Sequence, residues 1–465
     1  MNRAAVLVAI LVTVTASADA QPLELDDVLT AVRARHPLLE AARAETDVAD
    51  GRVLAAEGAF DPRVRVRGTD VVTGYYDNRM IDGEVSVLTT LWGATPFVGW
   101  RLGRGEFPAY DGKLPTLDLG EMRAGINVPV LQGGRIDRAR GERRKAALGR
   151  DVAGAELRQR ELDIQREAAL AYFDWVAATH RLDVRRRQLE LATTRAAQLE
   201  QAVARGGRPP IDVVDNARLV TVRQALLVAA RRDVRRASLD LSVHFRDRDG
   251  RPIVADADPL PRLDPLPAPS QIDVDLETAQ RLALDQAPRL AELARRLEIT
   301  ATDLEVARNA VLPRLDISAY AVRGLGSADP ALPDRSETSV AVGAMFEVPI
   351  GMRAARGAVR VASSEQRRLH AERRFLVDRI TADVATYQAE LAAERERAVL
   401  ALRGAELAEQ LAAAERTRFE RGDSNLLAVN LREEAAADAA ALAIDSRAEA
   451  HRARVELRVA LGQAP

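Results

Sequence analysis

Residues 25–64 read LDDVLTAVRARHPLLEAARAETDVADGRVLAAEGAFDPRV, and residues 276–315 read LETAQRLALDQAPRLAELARRLEITATDLEVARNAVLPRL. The two stretches align without a gap. In each, an acidic first turn opens an amphipathic helix that breaks at Pro37 or Pro288, and a second helix continues to the next proline. The chain is therefore predicted to be an internal duplication of two large repeats.

Further markers follow in the same order in both halves. Val-Pro-Val at 128–130 corresponds to Val-Pro-Ile at 348–350, and Arg-Gly at 205–206 corresponds to Arg-Gly at 421–422. Between the halves lies a proline-rich stretch that excludes helix and central strand. The predicted organisation is a first repeat, a connector and a second repeat, at 21–250, 251–275 and 276–465.

The composition favours long helices and excludes several functions. The chain has 465 residues, with 67 basic and 69 acidic side chains and a formal net charge of −2. Nucleic-acid binding would need a basic surplus, which is lacking. Because there is no cysteine, disulfides, thiolate metal sites and thiol nucleophiles are excluded. An apolar content of 47% with only 4% aromatic residues is typical of long helices that pack through small side chains.

Residues 1–20 are predicted to be a secretory signal peptide. A short positive start precedes an apolar run over 4–16, and the segment Ala18-Asp19-Ala20 matches an A-x-A cleavage site. The apolar run is too short to cross a bilayer as a helix. We therefore expect an exported chain whose mature form begins at Gln21.

Two proline-free stretches predict unusually long helices. Residues 135–204 and 353–420 each fit one helix of about 70 residues, roughly 100 Å long at 1.5 Å per residue. Arg-Gly breaks end both helices, and a shorter helix follows each break, which completes helical hairpins over 135–245 and 353–461. Apolar residues at intervals of seven predict a coiled-coil seam. The seam residues are Leu182, Leu189, Ala192, Ala196, Leu199 and Val203, then Leu391, Ala398, Ala405, Ala412 and Phe419.

Six short segments have the pattern of strands. Val64 and Val66 alternate with Arg65 and Arg67, as in a sheet with one apolar and one polar face. The segments have the length of tilted membrane strands, and aromatic residues crowd into 60–110, as an interfacial girdle requires; an ordinary sheet core is the alternative. The predicted strands are 63–73, 84–92, 97–102, 119–128, 316–322 and 338–348. The second and third would form an extra hairpin within 74–118.

Together these features resemble the TolC family of outer-membrane efflux and secretion channels, over essentially the whole mature chain. The resemblance is carried by Leu-Asp-Asp-Val-Leu at 25–29 with the following His36-Pro37, by the Pro62 and Pro313 boundaries, and by Val-Pro-Val-Leu-Gln-Gly-Gly at 128–134. It is also carried by the first hairpin turn, where Asp212-Val213 follows Gly206 at the family spacing.

The sequence departs from the family pattern in the second hairpin turn and before two prolines. His36 and Ala287 stand where the family usually has Asn, and Ala428-Val429 stands where many members carry acidic residues at the periplasmic entrance. The candidates to replace those acids are Asp423, Glu433 and Glu434.

The resemblance implies a mainly α fold in a homotrimer. Each protomer would give about four strands, from 63–128 and 316–348, to a shared β-barrel, and its long antiparallel hairpins to a trimeric α-barrel in the periplasm. The implied function is that of an outer-membrane exit duct of a tripartite efflux pump or type I secretion system, which passively exports small molecules or polypeptides. The implied partners are a periplasmic adaptor (membrane fusion protein), an inner-membrane transporter and outer-membrane lipid.

The hairpin turns supply the predicted site residues. We expect both turns to meet at the periplasmic end and to dock the adaptor through Gly206, Gly207, Arg208, Gly422, Asp423, Ser424 and Asn425. By resemblance the entrance closes through polar contacts near the turns, with Asp212, Asp215, Arg205 and Arg421 as gate candidates. The alternative role of Asp212 is to cap its helix.

No nucleophile elbow, phosphate loop or metal-ligand spacing occurs in the sequence, so we expect neither an enzyme nor a cofactor. The alternative function is a secreted periplasmic coiled-coil adaptor or scaffold without a pore. That alternative predicts one hairpin flanked by compact β domains, whereas this sequence predicts duplicated hairpins with strands inside each repeat.

Overall fold

A computed structural model describes residues 22–108, 115–268, 275–327 and 337–465. The predicted signal peptide lies outside the described residues. The described chain is mainly helical with one antiparallel sheet. None of its helices carries an apolar stretch long enough to cross a membrane.

Each repeat contributes four helices, two short and two long or very long. The first repeat forms α1 (Leu25–Arg35), α2 (Pro37–Glu57), α3 (Arg138–Ala204) and α4 (Ile211–Ser242). The second repeat forms α5 (Leu276–Gln286), α6 (Pro288–Asn309), α7 (Arg353–Arg421) and α8 (Leu426–Ala460). The α3 and α7 helices, of 67 and 69 residues, agree closely in extent with the long helices predicted from the absence of proline.

The helix ends follow local chemistry. Glu24 and Asp27 form a reciprocal capping box that opens α1. The helix ends at His36 because the residue before a proline avoids the α conformation, and Pro37 then starts α2. The second repeat uses the same device, with Ala287 extended and Pro288 in the first turn of α6.

The sheet has six strands in simple sequential order, all antiparallel. They are β1 (Arg63–Val71), β2 (Asn78–Ser86), β3 (Thr95–Gly105), β4 (Glu121–Pro129), β5 (Arg314–Gly324) and β6 (Ser339–Glu347). The β4–β5 pairing joins the two repeats. The resemblance implies about four strands, and β2 with β3 is the added pair.

The extra hairpin is present, but its first strand lies six residues earlier than the predicted segment 84–92. The apolar residues of that segment favoured a strand there. Instead, Trp92 and Gly93 both adopt positive φ, 56° and 67°, and reverse the chain. The strand is formed by the more polar stretch Asn78–Ser86, which the alternation rule underrated.

The chain divides into two compact units. The first, called the hairpin unit, comprises Met1–Glu40, Glu161–Gln286 and Thr381–Pro465. The second, called the sheet unit, comprises Ala41–Arg160 and Ala287–Ile380. The tips of both helical hairpins belong to the hairpin unit, and all six strands belong to the sheet unit.

The main apolar core of the hairpin unit lies where α1 packs on α3 and α4. Phe173 and Trp175 of α3, Val28 and Val32 of α1, and Leu241 of α4 are 2% exposed or less. Burying a side chain of this size is worth about 1.5–3 kcal/mol. The core therefore fixes the start of the first repeat against its own long helices.

The connector is extended, as its prolines predict, and is held by helix side chains of the hairpin unit. The His180 imidazole lies 2.9 Å from the Pro261 carbonyl oxygen. Arg447 donates to the Leu263 carbonyl oxygen over 2.7 Å. These side chains supply partners to a backbone that has no secondary structure of its own.

Candidate functional site

The two hairpin turns, called the hairpin tips (205–208 and 421–425), share one backbone construction. Gly206 and Gly422 lie in the left-handed region, with φ of 74° and 87°. In both tips the amide of the following residue donates over 2.9 Å to a carbonyl five residues earlier. This is a Schellman arrangement, which satisfies free carbonyls at the end of a helix and favours glycine.

The tips contact each other within the hairpin unit. The Arg208 guanidinium stacks on the Phe419 ring, 4.2 Å from its centroid, and donates to the Phe419 carbonyl oxygen over 3.1 Å. Asn425 caps α8 by accepting from the Ala428 amide at 2.9 Å. Of the predicted docking residues, Arg208 thus joins the tips and Asn425 shapes the second one.

The remaining polar residues of the second tip bond locally. The Ser424 hydroxyl donates to the Glu415 carboxylate, and the Asp423 carbonyl oxygen accepts from Arg418 at 3.3 Å. The glycines carry no side chain and leave backbone accessible. A partner would therefore meet a rigid backbone surface at this tip.

The predicted gate residues are not paired with one another in the described part of the chain. Asp215 pairs with Arg218, one turn along the same helix, at 3.2 Å. Arg205 donates to its own helix, to the Gln201 carbonyl oxygen at 3.1 Å. Each of these side chains is satisfied within its own hairpin.

Asp212 does not cap α4. The N-cap residue is Pro210, and no side chain caps this helix. Asp212 is the acidic residue of the first turn, where a carboxylate interacts favourably with the helix dipole. Arg421 ends α7, where a cation is favourable for the same reason.

Apolar side chains stand exposed beside both tips. Ile211 and Val214 at the start of α4 are 65% and 63% exposed, and Leu427 and Leu431 at the start of α8 are 64% and 57% exposed. The two repeats thus present matching apolar pairs one turn after each tip. In a water-filled compartment such pairs mark a surface that other chains cover.

A buried ion network lies between the long helices of the hairpin unit. The Glu433 side chain of α8 is 1% exposed, and its carboxylate accepts from two guanidinium groups. Arg195 of α3 donates to one oxygen, and Arg223 of α4 donates to the other over 2.9 Å. Arg416 of α7 approaches the same carboxylate at 3.9 Å. All four long helices therefore contribute to one charged cluster.

Further hydrogen bonds satisfy the two buried guanidinium groups. Arg195 also donates to the Asn430 side-chain oxygen at 3.0 Å, and Arg223 donates to the Gln188 carbonyl oxygen at 2.6 Å. A buried charge is tolerated only when it is paired and hydrogen-bonded in this way. Glu433 is consequently an internal structural residue of the protomer and not a free acid at the entrance.

Sequence reasoning missed this network because it placed the seam on apolar residues. The predicted seam used Leu189 and Ala196, whereas Gln188 and Arg195 are the buried residues of α3, 7% and 6% exposed. Together with the buried Ala192, their spacing of four and three is that of a coiled-coil core. A polar residue at core spacing was the signal that could have revealed the network.

The sheet has one apolar and one polar face along all six strands. Residues on the same side follow from the strand register. The apolar face carries Val64, Val66, Ile81, Val85, Val98, Trp100, Met122, Ile126, Leu315, Ile317, Val340, Val342 and Phe346. The polar face carries Arg63, Arg65, Arg67, Asp82, Glu84, Arg101, Glu121, Arg123, Arg314, Asp316, Ser318 and Glu347. The added strands β2 and β3 keep the pattern and so belong to the same surface.

The apolar face is exposed in the protomer. Val340 and Val342 of β6 are 75% and 74% exposed, and Val64 and Val66 of β1 are 72% and 70% exposed. On the polar face the inner strands are joined by ion pairs, such as Arg101–Glu121 at 3.0 Å. A water-exposed apolar face of this extent is unusual for a soluble protein and is typical of a surface in contact with lipid.

Long paired hairpins combined with a sheet of this kind define the fold of TolC-like outer-membrane channels. Residues 280–463 match the family described as outer membrane efflux protein. A comparison with curated protein sequences gives no match.

Several solved channels share the fold. The outer membrane protein VceC of Vibrio cholerae superposes with a TM-score of 0.66 and 16% identity, covering 95% of this chain and 96% of that chain. The MtrE outer membrane channel of Neisseria gonorrhoeae gives 0.64 and 15%, with 95% and 89% covered. The CmeC outer membrane channel of Campylobacter jejuni gives 0.64 and 12%, with 94% and 85% covered.

The predicted fold class and the predicted resemblance to the TolC family are confirmed by these matches. The predicted outer-membrane localisation agrees with the family description and with the channels that share the fold. The family is one of transport proteins rather than enzymes.

Proposed function

We propose that this chain is the outer-membrane exit duct of a tripartite efflux pump or a type I secretion system, and that it conducts cargo passively. The observation that carries the proposal is the exposed apolar face, which runs without interruption over six strands. Such a face needs lipid on one side, while the charged opposite face needs water. A membrane sheet around an aqueous passage meets both requirements.

The proposed assembly is a homotrimer. In the described sheet β1 and β6 each pair on one side only, so each leaves a row of backbone amides and carbonyls unpaired. Unpaired backbone groups are costly in lipid, and edge pairing between copies removes them. Three copies with six strands each would close a sheet of 18 strands, wider than the 12 that four strands per copy would give.

The proposed docking surface for a periplasmic adaptor consists of the hairpin tips and the apolar pairs beside them. The support is the glycine backbone of the tips together with exposed Ile211, Val214, Leu427 and Leu431. An inner-membrane transporter would supply the energy and select the cargo, because the chain itself carries no catalytic motif.

Fractionation and conductance test this function together. The chain should remain with the outer membrane, migrate as a heat-labile trimer, and form conducting channels when purified and added to planar bilayers. A soluble periplasmic chain without conductance would reject the proposal and favour the adaptor alternative. Cysteines at Ser424 and Arg208 should crosslink to the adaptor, whereas crosslinks restricted to cysteines near the strands would reject docking at the tips.

A further inference from the structure

The polar face of the sheet has an uneven distribution of charge. On β2, β3 and β4 the acids Asp82 and Glu121 are held by Arg123 and Arg101 in ion pairs. These pairs neutralise the inner part of the polar face. The positive charge that is left over must therefore lie elsewhere on the sheet.

The surplus lies on β1, where Arg63, Arg65 and Arg67 occupy three successive positions of the polar face. All three are exposed, and in the described part of the chain none of them forms an ion pair. Successive residues on one face of a strand are about 6.6 Å apart, so the row is about 13 Å long. We call these three residues the β1 arginine row.

One acid lies beside the row without an arginine of its own. Glu84 stands opposite Arg65 in the register, whereas Asp82, opposite Arg67, is already bound to Arg123. Even if Glu84 pairs with Arg65, two of the three arginines keep their charge uncompensated. The row is therefore a positive strip.

The neighbouring copy would not neutralise this strip. In antiparallel edge pairing the strand beside β1 is β6 of another copy, whose polar face reads Ser339, Ala341, Gly343, Met345 and Glu347. Its only acid, Glu347, ends the strand and would lie beside Arg63. Small side chains would therefore flank Arg65 and Arg67 and leave them open to the passage.

From this charge distribution we infer that the β1 arginine row is an anion-selective element of the exit passage, which favours cargo that carries carboxylate or phosphate groups. The inference rests on the proposed channel function. Three copies place three positive strips around the same passage, and charges of one sign lining a narrow aqueous channel concentrate counter-ions there. Arginine suits this role because its guanidinium stays charged and binds carboxylate or phosphate with two parallel bonds.

Reversal potentials in planar bilayers with a KCl gradient test the inference on the full chain. The native channel should be more permeable to chloride than to potassium. The double variant Arg65→Gln with Arg67→Gln should lower the chloride-to-potassium permeability ratio by roughly threefold or more. Arg65→Lys with Arg67→Lys, which keeps the charge, should retain the preference for chloride.

Arg79→Gln is the matched control, because Arg79 lies on the apolar side of β2 and pairs with Asp70 at 3.1 Å. It should leave the permeability ratio unchanged. Citrate serves as a carboxylate probe: on one side of the bilayer it should block the native channel at lower concentration than the Gln variant.

The outcomes separate the two proposals. A conducting trimer that prefers potassium, or whose ratio the Gln substitutions leave unchanged, overturns the arginine row as a selectivity element while the channel function stands. A trimer without conductance overturns the channel function, and the inference with it. Heat-labile migration of every variant on gels shows that the assembly has formed.

Discussion

Arg223 and Glu433, 210 residues apart in the chain, are joined inside the hairpin unit by an ion pair of 2.9 Å. Arg223 comes from the first repeat and Glu433 from the second. Their side chains are 4% and 1% exposed, so water contributes little to their solvation. The pair ties the two hairpins together by charge where an ordinary coiled coil would use leucine.

The first prediction concerns this pair. Glu433→Gln should destabilise the hairpin unit by about 3–5 kcal/mol, because it leaves two buried guanidinium groups without a carboxylate. Chemical denaturation followed by far-UV circular dichroism measures the change. Glu406→Gln is the control, since Glu406 forms an exposed pair with Arg403 on α7 and should cost less than about 1 kcal/mol. Equal effects of the two substitutions would contradict the role given to Glu433.

The second prediction concerns pH. Burial, aided by the charge of Arg454, lowers the pKa of His451 from 6.5 to about 4. Its ring stacks on Phe173 at 4.9 Å and lies against the connector, with Nε2 3.3 Å from the Asp264 carbonyl oxygen. The folded chain therefore keeps this imidazole neutral at pH values where the unfolded chain protonates it.

The sign follows from proton binding. Between pH 6.5 and about 4 the unfolded state binds the proton that the folded state excludes, so stability falls as the pH falls through this window. The loss from one such group approaches about 1.4 kcal/mol per pH unit. Thermal unfolding at pH 7.5 and 5.0 should show a smaller pH effect in His451→Gln than in the native chain.

Burial also lowers the pKa of His36, His180 and His244, so part of the pH effect should persist in that variant. His370→Gln, at an exposed position of α7, serves as the comparison and should leave the pH effect as it is in the native chain. A native chain that is equally stable at both pH values would contradict the prediction.

The third prediction concerns the proposed gate. Asp212→Asn together with Asp215→Asn should raise single-channel conductance or change ion selectivity, because it removes two carboxylates and the Asp215–Arg218 pair beside the first tip. Asp233→Asn, which breaks an exposed pair with Arg232 farther along the same helix, should change neither. If the double variant conducts like the native channel, these aspartates have no part in the gate.

The fourth prediction tests the two faces of the sheet with adjacent residues. Val342→Arg places a charge on the apolar face and should destabilise the membrane-inserted form by about 2–4 kcal/mol. Ala341→Arg adds the same side chain on the polar face and should insert normally, because that face meets water. The amount of heat-labile trimer in outer-membrane fractions measures both. Comparable losses for the two variants would reject the assignment of the faces.

The sequence by itself determined the elements that depend on local rules. Prolines set the helix breaks at Pro37 and Pro288, glycines set both hairpin tips, and the absence of proline allowed helices of 67 and 69 residues. These features could be predicted because each depends on the backbone limits of one or two residues. The alternation over β1 likewise predicted an apolar and a polar face.

Only the tertiary structure decided which residues meet. The ion network of Arg195, Arg223 and Glu433 unites three helices, and no local pattern distinguishes its charges from the many arginines and glutamates on solvated faces. The position of β2 was decided by the turn at Trp92 and Gly93 and by pairing with β1 and β3. Partners distant in sequence determine both features, because the cost of burying a charge or a strand edge depends on what packs against it.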